Sequence, residues 1–189
     1  MNKHFAPLKR EATYRDVLDA PDNVVAEILD GELSLQPRPA PRHAVVEDSL
    51  ISEYHDPFQR GRGGPGGWWI VSEPEIHFGK QVVVPDVAGW RRERPPELPS
   101  KAFFEIAPDW VCEVLSPATR RRDLTTKRRI YGENGVEHLW FIDPDALTLE
   151  AFRRIDGKWV LMAALAEDEA VCLDPFAAVT FPLDSLWAK

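Results

Sequence analysis

The sequence predicts an α/β protein, in the α+β sense of a mixed sheet flanked by helices, and three observations lead there. Two β-rich runs, VVAEIL and ELSLQ, flank Asp30-Gly31, a pair that tolerates positive φ and so favours a hairpin. Three further short β-rich runs, WWIVS, EIHFG and VVVPDVAGW, follow one another with polar or Gly-Lys breaks, as in a meander at the centre of a sheet. The run WVCEVLS is almost continuously apolar, as strands covered on both faces are, and a helical segment and the strand HLWFID complete a β–α–β unit.

Each element has its own local reason. TYRDVLDA reads as a short helix with Thr13 as N-cap and Asp16 at capping-box spacing, ending before Pro21. Pro37, Pro39 and Pro41 lack amide donors, so PRPAP is an extended connector into a helix from about Arg42 to Tyr54, with Val45, Val46, Ser49, Leu50 and Ile51 as its buried stripe. RGRGGPGG carries too many glycines for a helix or inner strand; it lacks the GxxxxGK[ST] pattern and reads as an exposed connector rather than a phosphate cradle. After WVCEVLS, Asp123 can cap the crossover helix, Ile130 and Tyr131 can face the sheet, and Gly135 can stop it. A second hairpin is expected around Asp156-Gly157, followed by the apolar segment FAAVTF.

The chain has 189 residues, 31 acidic and 23 basic, for a formal net charge of −8. That length suggests one domain across 1–189, and 44% hydrophobic content with seven tryptophans argues against disorder. No apolar run approaches the ~18–20 residues of a membrane span, and MNKHFAPLKREATYRD lacks the apolar middle of a signal peptide, so a cytoplasmic protein without a membrane partner is expected. Cys112 and Cys172 are isolated, which disfavours structural zinc and thioredoxin-like chemistry; both read as small core residues.

The most informative residues are acids where the pattern asks for apolar side chains. Asp86 interrupts one β-branched run and Glu113 another; alternation groups Val84, Asp86 and Ala88 on one face, and Val111, Glu113 and Leu115 on one face. A buried carboxylate needs a partner, either an arginine in a plain structural ion pair or a hard cation such as Mg²⁺ shared by both acids. The following segment, ATRRRDLTTKRRIY, concentrates Arg120, Arg121, Arg122, Lys127, Arg128 and Arg129 against one acid, as a solvated helix start or as a surface for a phosphate backbone. If Asp123 opens the helix, Lys127 and Tyr131 follow at four-residue intervals on one face, which would turn Lys127 toward the carboxylates.

Pro85-Asp86 followed by EVLS at Glu113–Ser116 resembles the PD-(D/E)XK nuclease superfamily. The phrases AEILDGEL, PDVAGW and WVCEVLSPATRRRDLTTKRRIYGENGVEHLWFIDP, with His43 on the second helix, narrow the resemblance to the Uma-type restriction-endonuclease-like family. It covers about 26–144, leaving 145–189 as a C-terminal β-hairpin extension, and implies a restriction-endonuclease-like core. The superfamily's lysine two residues after the glutamate is replaced here by Leu115; the family's matching lysine lies on the following helix, at Lys127. Glu27 matches an acidic position near the start of the pattern and would be an outer metal ligand or orient a water, against the plainer reading of a strand-edge ion pair. His43 is equally a substrate or metal contact or a packing residue at the helix start.

The resulting expectation is a Mg²⁺- or Mn²⁺-dependent endonuclease acting on DNA. Asp86 and Glu113 would be the metal ligands, with a carbonyl near Val114; Lys127 and Glu27 would complete the catalytic set, and Arg120, Arg121 and Arg128 would hold the nucleic-acid backbone. A homodimer would place two sites on two strands. The alternatives are a nucleic-acid-binding or scaffold protein that keeps the fold without activity, motivated by the missing lysine at Leu115 and the acidic net charge, and a metal-dependent hydrolase of a small phosphoester in a deep enclosed pocket.

Overall fold

The computed structural model describes residues 10–187. The first helix, α1 (Tyr14–Leu18), starts at Thr13, whose amide donates to the Asp16 carboxylate at 2.8 Å, the contact the capping-box spacing asks for. Strands β1 (Val24–Leu29) and β2 (Glu32–Pro37) pair antiparallel without interruption. Between them Asp30 and Gly31 both hold positive φ, 55° and 79°, the pair of left-handed residues a two-residue hairpin turn requires.

Helix α2 (Pro41–Tyr54) carries proline in its first turn and runs into a wide π turn at His55–Gln59. Its buried residues are His43, Val46, Glu47, Leu50 and Tyr54, whereas Val45, expected inside, is 41% exposed. The inward face therefore carries two polar residues, His43 and Glu47, flanking the buried Val46 in its N-terminal half, and is apolar at Leu50 and Tyr54.

Strands β3 (Trp68–Ser72), β4 (Ile76–Phe78), β5 (Gln81–Val83) and β6 (Val87–Arg91) do not form the expected meander. β3 pairs with β6, while the β4–β5 hairpin joins β1 in a separate sheet ordered β2-β1-β5-β4. The run VVVPDVAGW divides because Pro85 has no amide to give to a ladder. The chain crosses there from one sheet to the other, and strand alternation cannot be carried from Val84 through Asp86 to Ala88.

Strand β7 (Trp110–Val114) is buried along its whole length, as its composition predicts. Helical turns Arg120–Arg122, Asp123–Lys127 and Arg128–Glu133 then follow without a break and together form α3, the middle turn being a π turn. Asp123 is thus inside the helix and buried rather than its cap; the helix starts earlier, where the Ser116 carbonyl accepts from the Arg120 amide at 2.8 Å. Gly135 (φ 85°) ends the helical region, and β8 (His138–Asp143) pairs with β7 in parallel. With the hairpin β9 (Thr148–Ile155) and β10 (Lys158–Ala166), the second sheet runs β10-β9-β8-β7-β6-β3, so its centre is β8-β7 and β3 is an edge.

Alternation along the central strands fills two cores. On one face Trp110, Cys112 and Trp140 meet α2 and the C-terminal segment, which contributes β11 (Ala170–Val171), β12 (Phe181–Pro182) and a 3₁₀ turn at Leu183–Leu186. On the other, Val111, Leu115, Leu139 and Phe141 meet Ile130 and Tyr131 of α3. Cys112 is a core residue as expected; Cys172 is exposed. Among the described residues no helix is long and apolar enough to cross a membrane.

Phe176 anchors the first core: its ring lies 4.4 Å from Tyr54, 4.8 Å from both Phe58 and Trp68, and 4.9 Å from Trp110. Truncation would leave a cavity walled by aromatic rings that cannot collapse into it. Phe176→Ala is expected to lose about 3–5 kcal/mol of stability, read from urea denaturation midpoints.

Candidate active site

The residues singled out in sequence converge where the chain crosses between the two sheets. Lys127 comes from the π turn of α3, a geometry that adds a residue to the turn and is frequent at functional sites. Its ammonium is buried, 2.8 Å from Glu113 Oε1, 3.3 Å from Glu27 Oε1 and 3.9 Å from Asp123 Oδ1, and it donates to the Val84 carbonyl at 3.0 Å. Leu115 itself packs in the core with Val111.

Glu113 stands on the α3 side of β7, the face alternation assigns to it. The Tyr131 hydroxyl donates to its Oε1 at 2.5 Å, alongside Lys127. Burial pushes the Glu113 carboxyl well up, opposed by the adjacent ammonium. Burial would pull Lys127 down, but Glu113 and Glu27 outweigh it and hold the ammonium protonated. Glu27, on β1, is fully buried and accepts from Gln36 Nε2 at 2.5 Å and the Val84 amide at 2.9 Å, with Arg122 3.8 Å away.

Asp86 has a different setting for each oxygen. Oδ2 accepts from the Val114 amide at 2.7 Å, so Val114 enters the site through its N–H, whereas Oδ1 lies 3.0 Å from His43 Nε2 on α2. One turn beyond His43 on the same helix face is Glu47, a residue sequence reading missed because an acid in a charged helix looks solvated. His43, Glu47 and Asp86 each bring a ligand atom to within 4.8 Å of the other two. Burial, then repulsion by Asp86 and Glu73, raises the Glu47 carboxyl to about 8. For His43 the desolvation that would lower its pKa is outweighed by Asp86, Glu47 and Asp123, so it sits above its ordinary value.

These groups open onto a cleft of about 310 Å³ lined by His43, Asp86, Glu113, Ser116, Asp123 and Lys127, among others. Asp86, Glu113, Asp123 and Glu73 line the cleft with Glu27 and Glu47 directly behind it, against Lys127, Arg38, which pairs with Glu73, and the more distant Arg122 as fixed cations. Such an excess of buried anions requires protons or a cation. The donor set of carboxylates and an imidazole fits a small divalent ion.

In metal-free protein the proton held by Glu47 has a stability consequence. Its folded pKa exceeds the ordinary 4.5, so its contribution is fully present below that pH and is lost as pH rises toward about 8. In EDTA the parent is expected to melt progressively lower than Glu47→Gln as pH goes from about 5 to 8. Parallel melting curves across that range would contradict this.

The basic residues are dispersed. Arg120 pairs with Asp143 at the end of β8, and Arg121 is exposed. Arg128 lies 4.4 Å from the Phe152 ring, and its carbonyl accepts from Trp159 Nε1, on the hairpin side of α3 away from the cleft. Arg122 instead donates to Ser34 Oγ at 2.5 Å beside Glu27.

No curated protein sequence matches the chain. Its structure is similar over 93% of its length to 97% of a solved chain from Anabaena variabilis described as "a putative nuclease belonging to DUF820", with a TM-score of 0.76. At 24% identity that likeness shows a shared fold. The family described as Uma2, "Putative restriction endonuclease", matches residues 12–184, and the chain belongs to that family.

Proposed function

We propose that the protein is a Mg²⁺- or Mn²⁺-dependent endonuclease that hydrolyses DNA phosphodiester bonds in the cleft between α2, α3 and the junction of the sheets. The observation that carries this reading is the convergence of buried Glu113 and Lys127 with half-buried Asp86 on one opening with more carboxylates than cations around it. Asp86 and Glu113 would hold the cation, which when bound supplies electrophilic polarisation of a phosphate and a more acidic water.

The chain's own groups do the rest. Lys127, kept protonated by its acidic neighbours, lies where it can orient the attacking water and offset charge gathering on the phosphate. Glu27 acts through Lys127, as a positioning residue: with Gln36 and the Val84 amide on its carboxylate, it fixes where the ammonium points. Arg120 and Arg121 at the start of α3 would contact the DNA backbone, giving affinity that falls with salt and reads no sequence, whereas Arg128, packed on Phe152 away from the cleft, would reach only DNA that extends past α3. Two copies would cut both strands.

Supercoiled plasmid incubated with EDTA-stripped protein tests this reading. Nicking is expected only after Mg²⁺ or Mn²⁺ is restored. Nicking that persists in EDTA would refute the metal dependence, and no nicking with either ion would favour a fold-retaining nucleic-acid-binding protein.

A further inference from the structure

The geometry points to a second cation position, formed by His43, Glu47 and Asp86, that takes a nitrogen-accepting transition ion of the Mn²⁺ class in preference to Mg²⁺. It deepens the proposed function by sharing Asp86 with that site, but its evidence is separate. Glu113 Oε1 is already engaged by Lys127 and Tyr131, while the ligand atoms of His43, Glu47 and Asp86 cluster within 4.8 Å on the α2 side.

The second observation is His43 itself. It is 9% exposed, and its Nε2, the atom aimed into the cluster, is buried without a hydrogen bond although Asp86 Oδ1 is 3.0 Å away. Nor does any donor among the described residues bond the Glu47 carboxylate, which is 7% exposed. Among the described residues the Asp86 contact is the one partner Nε2 has, off hydrogen-bond geometry, and an imidazole and two carboxylates this incompletely bonded are costly as a purely structural arrangement. A cation drawing on all three atoms would satisfy them.

The helix makes the arrangement cheap to hold, because His43 and Glu47 are four residues apart and share one face of α2. Asp86 completes it from the chain crossing, one oxygen turned to His43 and the other anchored by the Val114 amide beside Glu113. One imidazole with two carboxylates is a mixed nitrogen–oxygen set, which suits first-row transition ions, whereas Mg²⁺ prefers oxygen donors and retains its water. His43 is therefore the residue that sets the ion preference.

The test uses the full chain stripped with chelator, titrated with MnCl₂ or MgCl₂ without DNA. Bound Mn²⁺ is examined by pulsed electron paramagnetic resonance for coupling to an imidazole nitrogen. The parent should show that coupling. His43→Ala should lose it, with Mn²⁺ affinity falling about tenfold while Mg²⁺ affinity changes by less than about threefold. Glu47→Gln should weaken Mn²⁺ binding while leaving α2 folded.

If His43→Ala fails to fold, His43→Asn substitutes an oxygen donor and should bind Mn²⁺ without nitrogen coupling. No Mn²⁺ binding by the parent, bound Mn²⁺ without nitrogen coupling, or equal losses for both ions in the variant would overturn the proposal. A protein that cuts DNA with Mg²⁺ yet shows no coupling sinks this site and leaves the nuclease reading standing. One that shows the coupling and cuts nothing does the reverse.

Discussion

Lys127→Met is expected to be the most damaging single substitution in the chain, lowering both cleavage and stability. The side chain keeps its length and apolar stem but removes the one buried ammonium among Glu113, Glu27 and Asp123. Breaking a buried ion cluster by deleting one partner typically costs about 3–5 kcal/mol, because the remaining charges stay buried and unpaired. On the proposed mechanism, cleavage per folded molecule should also fall by about a hundred- to a thousandfold. Urea denaturation gives the first effect, and single-turnover cleavage normalised to folded protein gives the second. A variant of parental stability would mean that Lys127 is not the counter-charge of this cluster.

Glu113→Gln separates chemistry from folding. The amide can still accept from Tyr131 through its oxygen and still fills the same space beneath α3, but it brings no negative charge to the cleft. Removing one of several crowded anions is expected to leave stability within about 1 kcal/mol of the parent or to raise it, as happens when strained functional groups are neutralised. Cleavage, in contrast, should drop by about a thousandfold if Glu113 holds the ion that polarises the phosphate. A stable variant that cuts at the parental rate would remove Glu113 from the chemistry.

Much of this arrangement is legible in the amino-acid sequence where the determinant is local. Asp30-Gly31 and Asp156-Gly157 form their hairpins because only a few residue types accept positive φ at such turns. The apolar run at Trp110–Val114 is a covered central strand, and the β–α–β unit that follows is parallel as expected. Lys127 also lies where a four-residue step from Asp123 would put it, even though Asp123 is a buried helix residue and not a cap.

What escapes is set by distant partners. A β-branched run announces a strand but not its neighbour, so the division of VVVPDVAGW between two sheets follows only from Pro85 and from pairings with β1 and Trp68–Ser72. Glu47 is hidden for a related reason. Hydrophobic periodicity locates α2 through Val46, Leu50 and Tyr54, yet the same inward face also carries His43 and Glu47. Positions 43, 46, 47, 50 and 54 taken as one face, whatever their polarity, expose the pair.

The central claim is that the Asp86–Glu113–Lys127 cleft cuts DNA with a divalent cation. The most direct measurement compares parent and Glu113→Gln, purified side by side, for nicking of supercoiled plasmid in Mn²⁺ and in EDTA. The account predicts nicking by the parent in Mn²⁺ alone and none above background by the equally stable variant. Equal nicking by both proteins, or nicking by the parent in EDTA, would contradict it.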